Sequence, residues 1–483
     1  MGHWILCGRQ SVVGLAAAAV TLLLCAGTPA MAQFIPKKND KPSSGPKTAA
    51  GNKLDPMNIK ILTAPIADTV IRQIEPKERT LNVEIRVTAF NNNIDPVNQP
   101  ISSNRLKFER AVVVFPLPAT SAGHRMSLVN RDDLKGELSF GSKLVDDKPT
   151  LLENYPAGTR LAKWEASDQE TSGMSLKLTL PTTLYKVVLD EQLAFSIPWH
   201  ETEVSYTDNG VAKKLTTPAL PPEMRSSFDP QMGVDWVFYE ARSGFSVPAQ
   251  AKQTADTRKA AEMLIKQWTS GNDIKKLYPV HAAKFIAQQA IGHFQESGNG
   301  YASNSDGSFQ GFTLQGALRT MRDKKGSEHD LACVLVALYH AAGLPARTVI
   351  GWDRVGGGGT GGIGGRNTEK LRSWVEFGVV DPINGAAIWI PVDIARQRKK
   401  SSAAPDLDKS WDYFGTIADL QEIIPIAFQY HPPTTVQAHG SPCLWGWLTT
   451  PTTQNAAQWI RFSSLATPVR GDRSPAGQPG YGK

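Results

Sequence analysis

Apolar residues recur at every second position through the first half of this chain and at helical spacing through much of the second, and this change of period limits the folds open to it. Leu81, Val83, Ile85 and Val87 alternate with Asn82, Glu84, Arg86 and Thr88, and Met174, Leu176, Leu178 and Leu180 repeat the pattern. Such alternation buries one face of a strand. Further strand-like runs fall at 111–115 and 193–197, and Asp208-Asn209-Gly210 between Val204-Ser205-Tyr206 and Val211 reads as a hairpin turn. Residues 55–230 are therefore expected to form an antiparallel β-sandwich-like domain. Near 254 the period changes: Ala260, Ala261, Leu264, Ile265 and Trp268 recur at helical spacing behind a cap at Thr254 or Asp256. Two more helices are expected at about 281–294 and 314–321. The predicted fold class is α+β, with a second domain over 250–435 and a partly disordered C-terminal extension over 436–483.

The chain's 483 residues exceed what one compact core holds. Its first 32 are expected to leave before folding. Arg9 precedes an apolar run from Val12 to Ala26, and Ala30-Met31-Ala32 supplies the small residues of a cleavage site, so 1–32 reads as a secretory signal. The protein is then exported, to the periplasm or the extracellular space. A lipid anchor at Cys25 is disfavoured by the bulky Leu24 before it. No later segment offers the roughly 18 uncharged apolar residues of a spanning helix, so no transmembrane segment is expected in the mature chain. Residues 33–54, rich in Lys, Pro, Ser and Gly, read as a disordered basic linker. Loss of the leader removes one arginine and no acid, which takes the formal charge from +7 to +6, and the positive residues are dispersed. Nothing in that distribution points to nucleic acid. Cys333 and Cys443 remain in a compartment that permits disulfides, leaving a single bridge open but not implied. His124 and His200 each stand alone and are given no role; no residues have metal-ligand spacing, and no metal or cofactor is implied.

The most informative stretch begins at Lys325-Gly326-Ser327-Glu328-His329-Asp330-Leu331-Ala332, continues helically to Ala342 and Gly343, and passes through Leu344-Pro345-Ala346-Arg347 into a strand ending at Gly351-Trp352. Ser327 and Asp330 have the spacing of a reciprocal cap, and Gly343 stands where a left-handed residue closes a helix. Later come Leu371-Arg372-Ser373-Trp374-Val375-Glu376-Phe377, Trp389-Ile390-Pro391-Val392-Asp393 and Asp412-Tyr413-Phe414-Gly415. Gly-x-x-x-Asp-x-Ala, Leu-Pro-Ala-Arg, Trp-x-Glu and the aspartate strand, in this order over 255–435, resemble the core signature of transglutaminase-like proteins, a branch of the papain fold.

The resemblance implies a Cys–His–Asp triad, with the cysteine activated at the N-terminus of the capped helix. Alignment on Asp330 and Ala332 places Glu328 at the cysteine position. Alignment on Trp374 and Glu376 places Arg372 at that of the histidine, and Asp393 alone keeps the expected residue. A carboxylate is a poor substitute for a thiolate in acyl transfer, and arginine stays protonated and cannot serve as the base. Two arrangements remain open: a Glu328–Arg372–Asp393 ionic cluster in place of the triad, or solvated residues lining an abandoned cleft. Ser327, Trp374 and Glu376 are candidate binding residues of that cleft.

Other nucleophiles carry less weight. Cys333 lies more than one helical turn beyond Glu328, on a different face, and reads as a packing residue. Ser327, with His329 nearby, is explained by the cap alone. Glu328 with Asp393 has the residue types of a glycosidase pair, but Arg372 between them opposes the acid role. Gly356–Gly365 lacks the ending of a phosphate loop and reads as a flap beside the cleft. Arg396-Gln397-Arg398-Lys399-Lys400 reads as a solvated basic loop able to hold an anionic partner, and Arg470-Gly471-Asp472 as a chance tripeptide. The expected function is that of a catalytically degenerate protein that binds or scaffolds a peptide, a protein or a cell-envelope polymer. The alternatives are an active cysteine-type peptidase, amidase or transglutaminase with a non-standard nucleophile, and a purely structural envelope component.

Overall fold

The structure is a computed structural model. It describes residues 67–88, 106–118, 120–126, 134–208, 211–237, 247–303, 309–353, 371–401, 403–430, 445–450 and 457–466. The expected leader, the basic linker, the glycine-rich segment 356–365, Cys443 and Arg470-Gly471-Asp472 all lie outside the described residues.

The first half is built of two antiparallel sheets. In one, β1 (Ile71–Thr88) pairs with β4 (Gly173–Leu189), placing Leu81 opposite Leu180 and Ile85 opposite Leu176. In the other, β2 (Leu106–Pro118) pairs with β3 (Thr159–Thr171), placing Val113 opposite Trp164. The inward residues of both sheets, among them Val83, Leu178, Phe108, Phe115 and Trp164, share one core. Each sheet gains an edge strand from the far end of the chain. Gly446–Thr450 pairs with β2, and Ala457–Ala466 pairs with β1, with Ile460 opposite Ile85 and Phe462 opposite Val83. The stretch expected as a C-terminal extension thus completes the N-terminal sheets. Trp445, Trp447, Ile460 and Phe462 are buried there.

Residues 193–197 do not form a strand. Asp190 caps a short helix, Glu191–Ala194, by accepting the Leu193 amide at 3.0 Å, and this local bond overrides a short apolar run. The hairpin near 209 does form, with Asp208 opposite Val211.

The second half supplies the helices α1 (Val247–Trp268), α2 (Pro279–His293), α3 (Ala317–Asp323) and α4 (Glu328–Ala341). The first begins earlier than its expected cap. Pro248 is tolerated in the opening turn, and Thr254 bonds back to the Gln250 carbonyl from inside the helix. An antiparallel sheet follows, formed by β5 (Ala346–Asp353), β6 (Leu371–Val380), β7 (Ala387–Val392) and β8 (Ile423–Phe428), in the spatial order β7-β6-β5-β8. Between β7 and β8 lies α5 (Ile394–Lys400).

The two faces of β6 meet different partners because its side chains alternate. Ser373 and Phe377 meet α4, through His329 and Tyr339. Trp374 packs with Ala122 and Val187 of the N-terminal half, and Glu376 hydrogen-bonds the Ala122 amide at 2.8 Å. No helix among the described residues is long and apolar enough to cross a membrane.

Candidate functional site

The helix that opens at residue 328 is fixed at its N-terminus by a complete capping box. Ser327 Oγ accepts the Asp330 amide at 3.2 Å, and Asp330 Oδ2 accepts the Ser327 amide at 3.0 Å. Asp330 also receives the Ser327 hydroxyl and, through Oδ1, the amides of Gln315 and Gly316. Ser327 and Asp330 are both buried, so the hydroxyl is committed to the cap.

Glu328, the first helical residue, binds the ammonium of Lys399 at 3.1 Å, and Lys399 reaches Glu296 at 3.0 Å on its other side. Burial raises the carboxyl pKa of Glu328. Lys399 opposes that rise, while Asp393 and Glu296 reinforce it. Arg372 is only 1% exposed and lies between two other carboxylates: Nε donates to Asp393 at 2.7 Å and Nη1 to Asp419 at 2.8 Å. Burial works against its charge, yet Asp393 and Asp419 together hold its pKa above the ordinary value.

The expected three-membered cluster therefore forms in part. Arg372 joins Asp393, but among the described residues Glu328 takes its counter-ion from Lys399. The centre consists of two cations, each between two carboxylates. Asp393 connects them: its Oδ1 caps α5 through the Arg396 amide at 2.9 Å, and α5 carries Lys399.

The basic run at 396–400 is a helix rather than a loop, with Lys399 and Lys400 exposed on it. It lies in α5, where Arg396 pairs with Asp353, Arg398 donates to the Ile291 carbonyl, Lys399 joins the two glutamates and Lys400 pairs with Asp412. Lys399, Glu296 and Asp419 were missed from sequence. The charge run flagged the first, but its partners are distant along the chain, and neither acid sits in a motif.

The three candidate cleft residues line no open surface. Ser327 is buried in the cap, and Trp374 is buried among Val349, Ile417 and Phe428. Glu376 is fully buried and joins Arg347, the arginine of the Leu-Pro-Ala-Arg segment, at 2.7 Å. That arginine also donates to the carbonyls of Ala157 at 2.6 Å and Thr120 at 2.9 Å, and its guanidinium lies over the rings of Trp389 and Phe428. The motif pair thus clasps the N-terminal half to the core sheet. Cys333 is fully buried; Gly233 approaches so closely that a Cβ there would come within 2.9 Å of its sulfur.

One further pair has the spacing of a nucleophile and a base. His329 Nδ1 lies 2.7 Å from Ser373 Oγ, which also receives the Tyr430 hydroxyl at 2.7 Å. All three residues are buried, and the chain of bonds ties the start of α4 to β6 and to Tyr430 just beyond β8. Burial, followed by nearby positive charge, depresses His329 and His124 to pKa values of about 3: Lys399 acts on the first and Arg347 on the second.

Unfolded histidine titrates near 6.5. Between that value and about 3 only the unfolded chain binds these protons, so stability is full above pH 6.5 and is lost as pH falls. Each histidine should remove about 2 kcal/mol between pH 7 and 5. Urea unfolding of the native chain and of H124L at both pH values checks this. The variant should show the smaller loss, and equal losses would contradict the assignment.

Residues 267–394, which span α4, β5, β6, β7 and Asp393, match the model of the transglutaminase-like superfamily, and the chain carries a domain of that superfamily. No curated protein matches. Among solved structures, a proposed cysteine protease from Cytophaga hutchinsonii is similar at 13% identity over 82% of this chain and 93% of that one, with a TM-score of 0.41. The periplasmic domain of TgpA from Pseudomonas aeruginosa is similar at 14% identity over 70% of this chain and 96% of that one, with a TM-score of 0.24.

Proposed function

We propose that this is an exported transglutaminase-like protein that has lost acyl-transfer chemistry and acts by binding or scaffolding a peptide, a protein or a cell-envelope polymer. The observation that carries this reading is the state of the centre. Glu328, which the alignment puts at the place of the nucleophile, is engaged by Lys399, while Arg372, which it puts at that of the base, is held by Asp393 and Asp419. No thiolate can form at the start of α4, and a guanidinium between two carboxylates does not accept a proton. The burial of Cys333 and the commitment of Ser327 to the cap argue against a relocated nucleophile.

The test pairs retention with chemistry. The mature chain is incubated with purified cell-wall sacculi and, separately, with an envelope protein fraction, and both bound protein and the mass of the recovered material are measured. Retention with no change in mass is expected. Cleavage or cross-linking that disappears in E328Q would establish an active enzyme instead.

A further inference from the structure

Asp419 reaches the buried guanidinium of Arg372 from a segment that belongs to the core domain in sequence but is fastened to the N-terminal sheets. Ile417 and Val187 of β4 exchange backbone hydrogen bonds at 3.0 and 3.3 Å, and the Leu189 amide donates to Thr416 Oγ1 at 3.0 Å. Lys77 of β1 pairs with Glu422. Leu420 is buried against the turn at Gly123, where an added Cβ would come within 2.9 Å of it.

A side chain carried on so fixed a segment sets the position of whatever it holds. Arg372 uses Nε on Asp393 and Nη1 on Asp419, and its Nη2 is buried with no hydrogen-bond partner among the described residues. Asp393 links the two positions: it holds Arg372 at 2.7 Å and caps α5, whose Lys399 holds Glu328 at 3.1 Å. A guanidinium drawn to Asp419 leaves Glu328 to Lys399.

We propose that Asp419 is a positioning residue through which the N-terminal β layers hold Arg372 on Asp393 and away from Glu328. The inference deepens the reading above, since it rests on residues 328 and 372 being the altered nucleophile and base positions. It assigns the N-terminal half a role in setting the charge at the start of α4. Loosening the 416–422 segment from those sheets would redirect Arg372 toward residue 328.

A thiol placed at 328 reports that charge. Lys399, Glu296, Asp393 and the N-terminus of α4 face it. In the full mature chain carrying E328C and C443S, the rate of alkylation by iodoacetamide is followed from pH 5 to pH 10. D419N should move the midpoint down by about one pH unit, as positive charge shifts toward the thiolate. T416V, which cuts a tie to β4, should move it the same way by less. In an R372M background D419N should have no effect, because the arginine carries the change. A D419N shift that persists at full size in R372M, or no shift in either background, overturns the proposal while the thiol still reports. A thiol at 328 that iodoacetamide never reaches overturns both this inference and the reading of residue 328 on which it rests.

Discussion

A chain ending at residue 436 does not reach a stable fold. The truncation removes the strands Gly446–Thr450 and Ala457–Ala466, which form the outer edges of the two N-terminal sheets. It takes away the buried side chains of Trp445, Trp447, Ile460 and Phe462 and exposes the backbone edges of β1 and β2. Losing one large buried aromatic costs about 3–5 kcal/mol, and a whole domain is stable by only about 5–15 kcal/mol. Three such losses and that of Ile460, with two open sheet edges that invite aggregation, reach or exceed that margin. Size-exclusion chromatography and circular dichroism of the truncated chain should show aggregate or unfolded protein. A monomer with native strand content would contradict the closure of these sheets by the C-terminal strands.

E376A should cost about 3–5 kcal/mol, the range for leaving a buried charge without its partner. Arg347 would stay in the interior, still donating to Thr120 and Ala157 but without its carboxylate, and the Ala122 amide would lose its acceptor. Replacing both members, R347M with E376L, should recover most of that loss, because apolar residues of similar volume remove the buried charge altogether. Urea unfolding of the single and double variants measures the difference. A single variant as stable as the native chain would remove the pair from the interface between the halves.

What was legible in the sequence was what is local. The alternation of β1 and β4 and the reciprocal cap at Ser327 and Asp330 each depend on neighbours a few residues apart, and each is found where the spacing put it. Arg347 and Glu376 were visible as motif residues, but what they grip was not. Their partners Thr120, Ala122 and Ala157 lie far away in sequence, and Ala157 presents its carbonyl from a left-handed backbone at φ 57° that no pattern announces. The closing strand at 457–466 alternates Ile460 and Phe462 with Arg461, too short a signal against the Pro- and Gly-rich composition around it. At the site, the replaced positions could be read by alignment, whereas their counter-ions could not. Lys399 was hidden in a run of cations, and Asp419 becomes a partner only because the fold brings its segment under β4.

If the fold still supports acyl transfer and only the reacting groups have changed, restoring them should restore the first chemical step. The decisive measurement is acyl-enzyme formation from p-nitrophenyl acetate, followed as a burst of p-nitrophenolate and as an acetyl adduct located by peptide mass spectrometry. It compares C443S, with the centre unchanged, and E328C/R372H/C443S. The native centre should give no burst and no adduct on α4, while E328C/R372H gives a burst approaching one equivalent with acetyl on residue 328, where the helix N-terminus and Lys399 favour the thiolate. A burst from the native chain with an adduct within α4, or a doubly substituted chain no more reactive than an ordinary exposed cysteine, would contradict the assignment of 328 and 372 as the silenced nucleophile and base positions.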